Sequence, residues 1–238
     1  MPLYDRDVII ACDFSGRDET LKFLNSLGEL RPWLKIGMEL FYAEGPDFVR
    51  ELKGRGYRIF FDLKLHDIPT TVSRTMSVLS RLDVDMINVH AAGTRAMMEA
   101  ALSGAIRPDG SRPILLAVTQ LTSTDEERMQ KELLIHASMQ DTVLAYAENA
   151  SLAGLDGVVC SAWEAGIVRR RCGEQFCTVT PGIRFAEGEA ADQKRVATPS
   201  LAAELGSQMI VVGRPITRSE DPKQAYIRCR QEFLGKDV

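Results

Sequence analysis

Eight short apolar runs, each followed by residues of helical periodicity, constrain this chain more than any other feature. The runs are Val8–Asp13, Leu34–Gly37, Arg58–Lys64, Met86–His90, Ile114–Thr119, Gly157–Cys160, Cys177–Thr180 and Met209–Gly213. Between them Leu21, Leu24 and Leu27 share one helical face, as do Val72, Met76 and Leu79, and then Met97, Met98, Ala101 and Leu102. The segment from Ser123 to Gly154 predicts two helices, and Pro222 opens a last one carrying Ala225, Ile227 and Phe233. Eight strand-then-helix units with right-handed crossovers are what a (β/α)8 barrel of the TIM class requires. A doubly wound open sheet is the main rival, but it normally places a glycine-rich phosphate loop after its first strand. Here that position reads FSGRDET, with one glycine. No Pro/Gly/Ser-rich linker or charge block divides the 238 residues, so the expectation is one α/β barrel domain spanning residues 1–238.

Composition narrows the function. A hydrophobic content of 45% suffices for a large core, and a formal net charge of -4 lacks the basic excess of a nucleic-acid binder. The amino terminus, MPLYDRDVIIACD, has no signal-peptide pattern, and no apolar run approaches a membrane span. The five cysteines include no C-x-x-C pair, and Cys12, Cys160 and Cys177 lie in apolar runs as small core residues do. These features predict a reduced, soluble, cytoplasmic protein whose partner is a small molecule.

The segment FFDLKLHDIPTT, residues 60–71, sets three charges in and just after a run that otherwise reads as buried strand. Strand alternation puts Ile59, Phe61, Leu63 and Leu65 on one face and Phe60, Asp62 and Lys64 on the other. If the leucine face packs on helices, Asp62 and Lys64 point into the barrel. Lys35, in LKIG on the neighbouring strand, can reach them across a strand spacing of about 4.8 Å. Asp67 follows in the loop, and Pro69 pre-sets the turn into the next helix. A buried ion pair kept for structure alone is the competing reading, because desolvation roughly cancels the attraction. Two lysines alternating with two carboxylates favour a functional reading, since charges about 4 Å apart interact by roughly 4 kcal/mol at an effective dielectric near 20. An ammonium held in this way at a concave rim suits proton donation and stabilisation of a developing anion.

Asp13, Lys64, His90, Thr119, Thr180 and Gly213 all end apolar runs, which places them on the face where barrel enzymes build their sites. VTPGIRF and VVGRPIT end the seventh and eighth runs with glycine followed by arginine, Arg184 and Arg214. Either arginine alone would read as a surface residue. Together, in the two loops where barrels bind phosphate, they predict a phosphorylated substrate. FAEGEAADQKRVATP after Arg184 reads as a lid, or else as an ordinary surface loop, and Gln193 within it can reach the phosphate on closure. The three histidines have no metal-site spacing, and no dinucleotide fingerprint, Walker loop or lysine in a PLP context is present. The reaction is therefore expected to need neither metal nor cofactor.

FDLKLHDIPTTV, LKIGMELF, INVHAAG, AVTQLTS, SAWEA, VTPGIR, DQKRVATP and VVGRPIT, in this order over nearly the whole chain, resemble the orotidine 5′-phosphate decarboxylases. The resemblance implies a (β/α)8 homodimer with shared sites that converts orotidine 5′-monophosphate to UMP and CO2. It implies that Lys64 donates a proton to C6 of the pyrimidine, that Asp62 lies beside the leaving carboxylate, and that Lys35 links Asp62 to Lys64 and the ribose. Asp67 matches the acidic residue that crosses to the partner's site, with Ile68 and Thr71 beside it. Asp13 matches a ribose contact and Thr122 a base contact. Gln193, Arg214 and the Gly213 backbone match the phosphate grip, with Arg184 at the base of the lid. Two positions depart from the pattern: Thr94, where a second glycine is common, and Thr70, where asparagine is frequent. The nearest alternative, a phosphosugar decarboxylase or hexulose-phosphate synthase of the same superfamily, shares D-x-K-x-x-D but binds Mg2+ with an acidic residue where this chain has Lys35. A lysine there repels the metal. A non-catalytic phosphate-binding barrel is more distant still, since it has no need of the charged array.

Overall fold

The computed structural model describes residues 5–187 and 196–235. Eight parallel strands close into a barrel in chain order: β1 (Asp7–Ala11), β2 (Trp33–Gly37), β3 (Arg58–Leu65), β4 (Met86–His90), β5 (Ile114–Val118), β6 (Gly157–Val159), β7 (Cys177–Thr180) and β8 (Met209–Val212). β8 closes the ring by pairing with β1, Val8 opposite Ile210. Each strand overlaps one of the eight apolar runs of the sequence, and the doubly wound alternative is excluded by closure.

The helices α1 (Arg17–Ser26), α2 (Met38–Gly54), α3 (Pro69–Ser80) and α4 (Thr94–Ala105) follow the first four strands. The long insert after β5 holds two helices as expected, α5 (Glu126–Glu132) and α6 (Met139–Leu152). Each begins on a side-chain cap, Asp125 accepting from the Arg128 N–H and Ser138 from the Asp141 N–H. α7 (Ala162–Cys172), α8 (Pro199–Glu204), the short α9 (Arg214–Thr217) and α10 (Pro222–Leu234) complete the ring. α2 bends at Gly45–Pro46, where Gly45 takes φ 71 and proline interrupts the hydrogen-bond ladder.

Strand alternation divides the core in two. Ile9, Trp33, Phe60, Met86, Leu116, Val179 and Met209 fill the barrel interior, while Ile10, Leu34, Ile59, Phe61, Val89 and Ile210 pack outward on the helices. Phe60 and Phe61 are each almost fully buried, on opposite sides of β3. Burial of such a side chain contributes about 1.5–3 kcal/mol.

The amino-terminal face of the barrel satisfies its own charges. Asp85 accepts from the Ile59 N–H at 2.7 Å and from Lys53 at 2.7 Å, Asp156 accepts from the Leu115 N–H at 2.8 Å, and Asp7 pairs with Arg58 at 2.8 Å. Asp85 and Asp156 tie neighbouring strands together, and Asp7 on β1 reaches across to β3. All five cysteines are free thiols, and four of them are buried. Among the described residues no helix is long and apolar enough to cross a membrane.

Candidate active site

Charges at the opposite, carboxyl-terminal face are arranged differently. They line an open cleft of about 580 Å³ above the interior layer of Phe60 and Val211. Asp13, Lys35, Asp62 and Lys64 border it on the β1–β3 side, Thr122 comes from the loop after β5, and Arg184, Gly213 and Arg214 come from the loops after β7 and β8.

The charged side chains form one alternating line. Lys35 Nζ donates to Asp13 Oδ1 at 2.8 Å and lies 3.3 Å from Asp62 Oδ2, while Lys64 Nζ lies 2.8 Å from Asp62 Oδ1. Burial alone would lower the Lys35 ammonium, but Asp62 and then Asp13 outweigh it and hold Lys35 above the ordinary lysine value. Burial alone would raise the Asp62 carboxyl, yet Lys35, Lys64 and a bond from Asn88 keep it below the ordinary carboxylate range. Gly37 leaves room for this line, since a Cβ there would sit 3.3 Å from Lys35 Nζ.

β3 does not run regularly to its end. Phe61 pairs with Ile87, but the next partners are Leu65 and Val89, so three residues of β3 bulge out opposite Asn88 alone. Within the bulge Lys64 takes φ 52, the left-handed region that side chains disfavour. Its N–H donates to Asn88 Oδ1 at 2.8 Å, and Asn88 Nδ2 donates to Asp62 Oδ1 at 2.7 Å. Sequence reading passed over Asn88, although alternation in MINVH places it on the inward face with Met86 and His90.

Several expected residues lie elsewhere. Asp67 is exposed and accepts from its own neighbour's N–H at Ile68, 2.6 Å away; Ile68 is 66% exposed, and Thr71 is exposed on the first turn of α3. None of the three borders the cleft of its own chain, so the second carboxylate of the array within one protomer is Asp13. Gln193 lies outside the described residues, as does most of the expected lid. At the neck of that loop, the Arg184 N–H donates to the Ala197 carbonyl at 3.0 Å and the Ala197 N–H to the Gly182 carbonyl at 3.1 Å.

The grouping of six polar strand ends at the site needs correction. Thr119 and Thr180 are buried and take part in strand-to-strand bonding, Thr119 Oγ1 donating to the Val159 carbonyl at 2.9 Å and Thr180 Oγ1 to the Met209 carbonyl at 3.2 Å. They sit on the helix-facing parity of β5 and β7, whose inward residues are Leu116 and Val179. His90 stays at the rim beside His66, with ring centroids 5.6 Å apart. Burial, then His66 and Lys64, push His90 below the ordinary histidine value. Among the described residues no group of three or more His, Cys, Asp or Glu could hold a metal ion.

This geometry offers a fixed ammonium beside a carboxylate, with arginines across the cleft. That suits a phosphorylated substrate on which negative charge develops near Lys64. Comparison with known proteins points the same way. Residues 6–229 match the model of the Orotidine 5'-phosphate decarboxylase / HUMPS family. An orotidine 5'-phosphate decarboxylase of Geobacillus sp. (strain WCH70) is 54% identical over 232 residues, 96% of this chain and 97% of the relative. One of Shouchella clausii is 52% identical over 234 residues, 97% of this chain and 98% of the relative. The crystal structure of an orotidine 5'-phosphate decarboxylase from Lactobacillus acidophilus superposes with a TM-score of 0.86 at 41% identity, covering 96% of this chain and 99% of that one.

Proposed function

Because the chain belongs to the Orotidine 5'-phosphate decarboxylase / HUMPS family, and decarboxylates orotidine 5′-monophosphate to UMP in pyrimidine biosynthesis, we propose that the reaction runs through a C6 anion that Lys64 stabilises and then protonates. The observation that carries this reading is the Asp13–Lys35–Asp62–Lys64 line at the cleft wall.

The C6–carboxylate bond breaks, CO2 departs, and the electron pair remains on C6. Lys64, anchored 2.8 Å from Asp62, faces that charge and transfers one proton to C6, after which solvent restores its own. Asp62 lies beside the departing carboxylate and, with Lys35, holds Lys64 in place. Asp13 and Lys35 bind the ribose, Thr122 contacts the base, and Arg184, Arg214, the Gly213 backbone and Gln193 grip the phosphate; for Gln193 the support is the family resemblance alone. Phosphate contacts far from C6 supply binding energy that lowers the barrier there.

No metal or cofactor is needed in this scheme. Lys35 sets an ammonium 3.3 Å from Asp62, where a divalent cation would have to displace it. Asp67, Ile68 and Thr71, which face away from their own cleft, complete the site of a second copy in a homodimer.

EDTA-treated protein should release CO2 from orotidine 5′-monophosphate. Absence of turnover, or turnover only on adding Mg2+, would overturn the scheme. Lys64→Ala should lower kcat by about 10²–10⁴-fold while UMP binding stays measurable.

A further inference from the structure

Asn88 lies opposite the bulge of β3, fully buried, and borders no part of the cleft. Its amide nevertheless meets both members of the Asp62–Lys64 pair. The carbonyl oxygen accepts the Lys64 N–H at 2.8 Å, and the amide nitrogen donates to Asp62 Oδ1 at 2.7 Å. That same carboxylate oxygen receives Lys64 Nζ at 2.8 Å. One side chain thus closes a ring through a lysine backbone, its ammonium and the intervening carboxylate.

The ring has a geometric purpose. The left-handed conformation of Lys64, φ 52, directs its side chain, and in the bulge the regular ladder offers no partner for its N–H. Asn88 supplies that partner and at the same time orients the Asp62 carboxylate. A hydrocarbon of the same size could do neither. A carboxylate could accept from the backbone but would repel Asp62.

We infer that Asn88 is a positioning residue for the decarboxylation, setting the direction of the Lys64 ammonium and the orientation of Asp62 without touching substrate. The inference rests on the reading of Asp62 and Lys64 given above. It assigns β4 a part in the chemistry that its buried, uncharged amide does not advertise.

Asn88→Leu and Asn88→Asp test it, assayed with the wild type and Lys64→Ala from pH 5 to pH 9, with rates expressed per UMP-binding site. Asn88→Leu should lower kcat by about 10²-fold, as expected for a misaimed reacting group, and leave KM within about threefold. Asn88→Asp adds a discriminating pH dependence. When protonated, the new carboxyl reproduces the donor and acceptor of the amide; when ionised, it opposes Asp62. The charged and titratable groups around it are Asp62 and Lys64 on β3, Lys35 behind Asp62 on β2, and His90 on its own strand, while its β5 partner Leu116 carries none. The ratio of Asn88→Asp kcat to wild-type kcat should therefore rise as pH falls, by about tenfold per unit above the pKa of the new carboxyl.

A side chain that only stabilised the fold would change the number of binding sites and leave kcat per site and its pH ratio unmoved. A wild-type kcat per site in Asn88→Leu, or a flat pH ratio in Asn88→Asp, would overturn the inference. Should Asn88→Leu fail to fold, the pH ratio of Asn88→Asp decides. Wild-type turnover by Lys64→Ala would instead remove the underlying reading. An inactive Lys64→Ala beside unaffected Asn88 variants would remove the role of Asn88 alone.

Discussion

At the scale of single residues, four non-glycine residues among those described take a positive φ, Lys64, Asp83, Thr94 and Leu134, and two of them contrast in what the strain achieves. Lys64 at φ 52 gains from its conformation, because the bulge carries its ammonium to Asp62. Thr94 gains nothing comparable: at φ 72 and ψ 166 it occupies a region that is essentially glycine's, and a β-branched side chain suffers most there. This is the position where the family resemblance calls for a second glycine. The strain costs of order 1–3 kcal/mol, against about 0.5–1 kcal/mol of added unfolded-state entropy for glycine. Thr94→Gly should therefore stabilise the protein by about 1 kcal/mol, read as a higher urea midpoint at unchanged m. A lowered midpoint would show that the threonine contributes contacts that outweigh its backbone strain.

At the scale of elements, β3 decides how the charges are presented, and the α3–α4 pair shows how closely the helices around the barrel pack. Alternation along β3 holds for Ile59, Phe60 and Phe61, and places Asp62 inward, but the bulge then interrupts the ladder. The pairing of Asp62 with Lys64 is as expected, yet it is made by a left-handed residue and Asn88, and not by regular pleating alone. α4 lies against α3 at Gly104, where an added Cβ would come within 2.1 Å of the Ser73 carbonyl oxygen. Backbone is on the other side of that contact, so the helices must separate to admit a methyl group. Gly104→Ala should destabilise by about 1–3 kcal/mol through overpacking, in spite of alanine's helix propensity advantage of about 1 kcal/mol. Denaturant unfolding checks this, and an unchanged or higher midpoint would contradict it.

At the scale of the whole molecule, one chain brings together Asp13, Lys35, Asp62, Lys64, Thr122, Arg184, Gly213 and Arg214, and leaves Asp67, Ile68 and Thr71 exposed outside the cleft lining. The homodimer with shared sites proposed above would account for both facts. Mixing inactive Asp67→Ala with inactive Lys64→Ala should then restore up to about a quarter of wild-type activity. A random exchange of subunits yields half hybrids, each with one site of two intact. Recovery is measured after verified subunit exchange, and no recovery would count against the shared site.

The sequence by itself determined the eight strand–helix units, the inward face of each strand and the meeting of Lys35 with Asp62. These follow from local periodicity and from the fixed spacing of neighbouring strands. Parity also held the outward turn of Thr119 and Thr180 and the inward turn of Asn88, which a reading guided by polarity at strand ends overlooked. Tertiary structure alone decided that Asp13 completes the charged line in one chain, that β3 bulges against β4, and that a single amide joins both ends of the reacting pair. Those depend on stagger between strands, which closure of the barrel imposes on all eight together and which no single segment encodes.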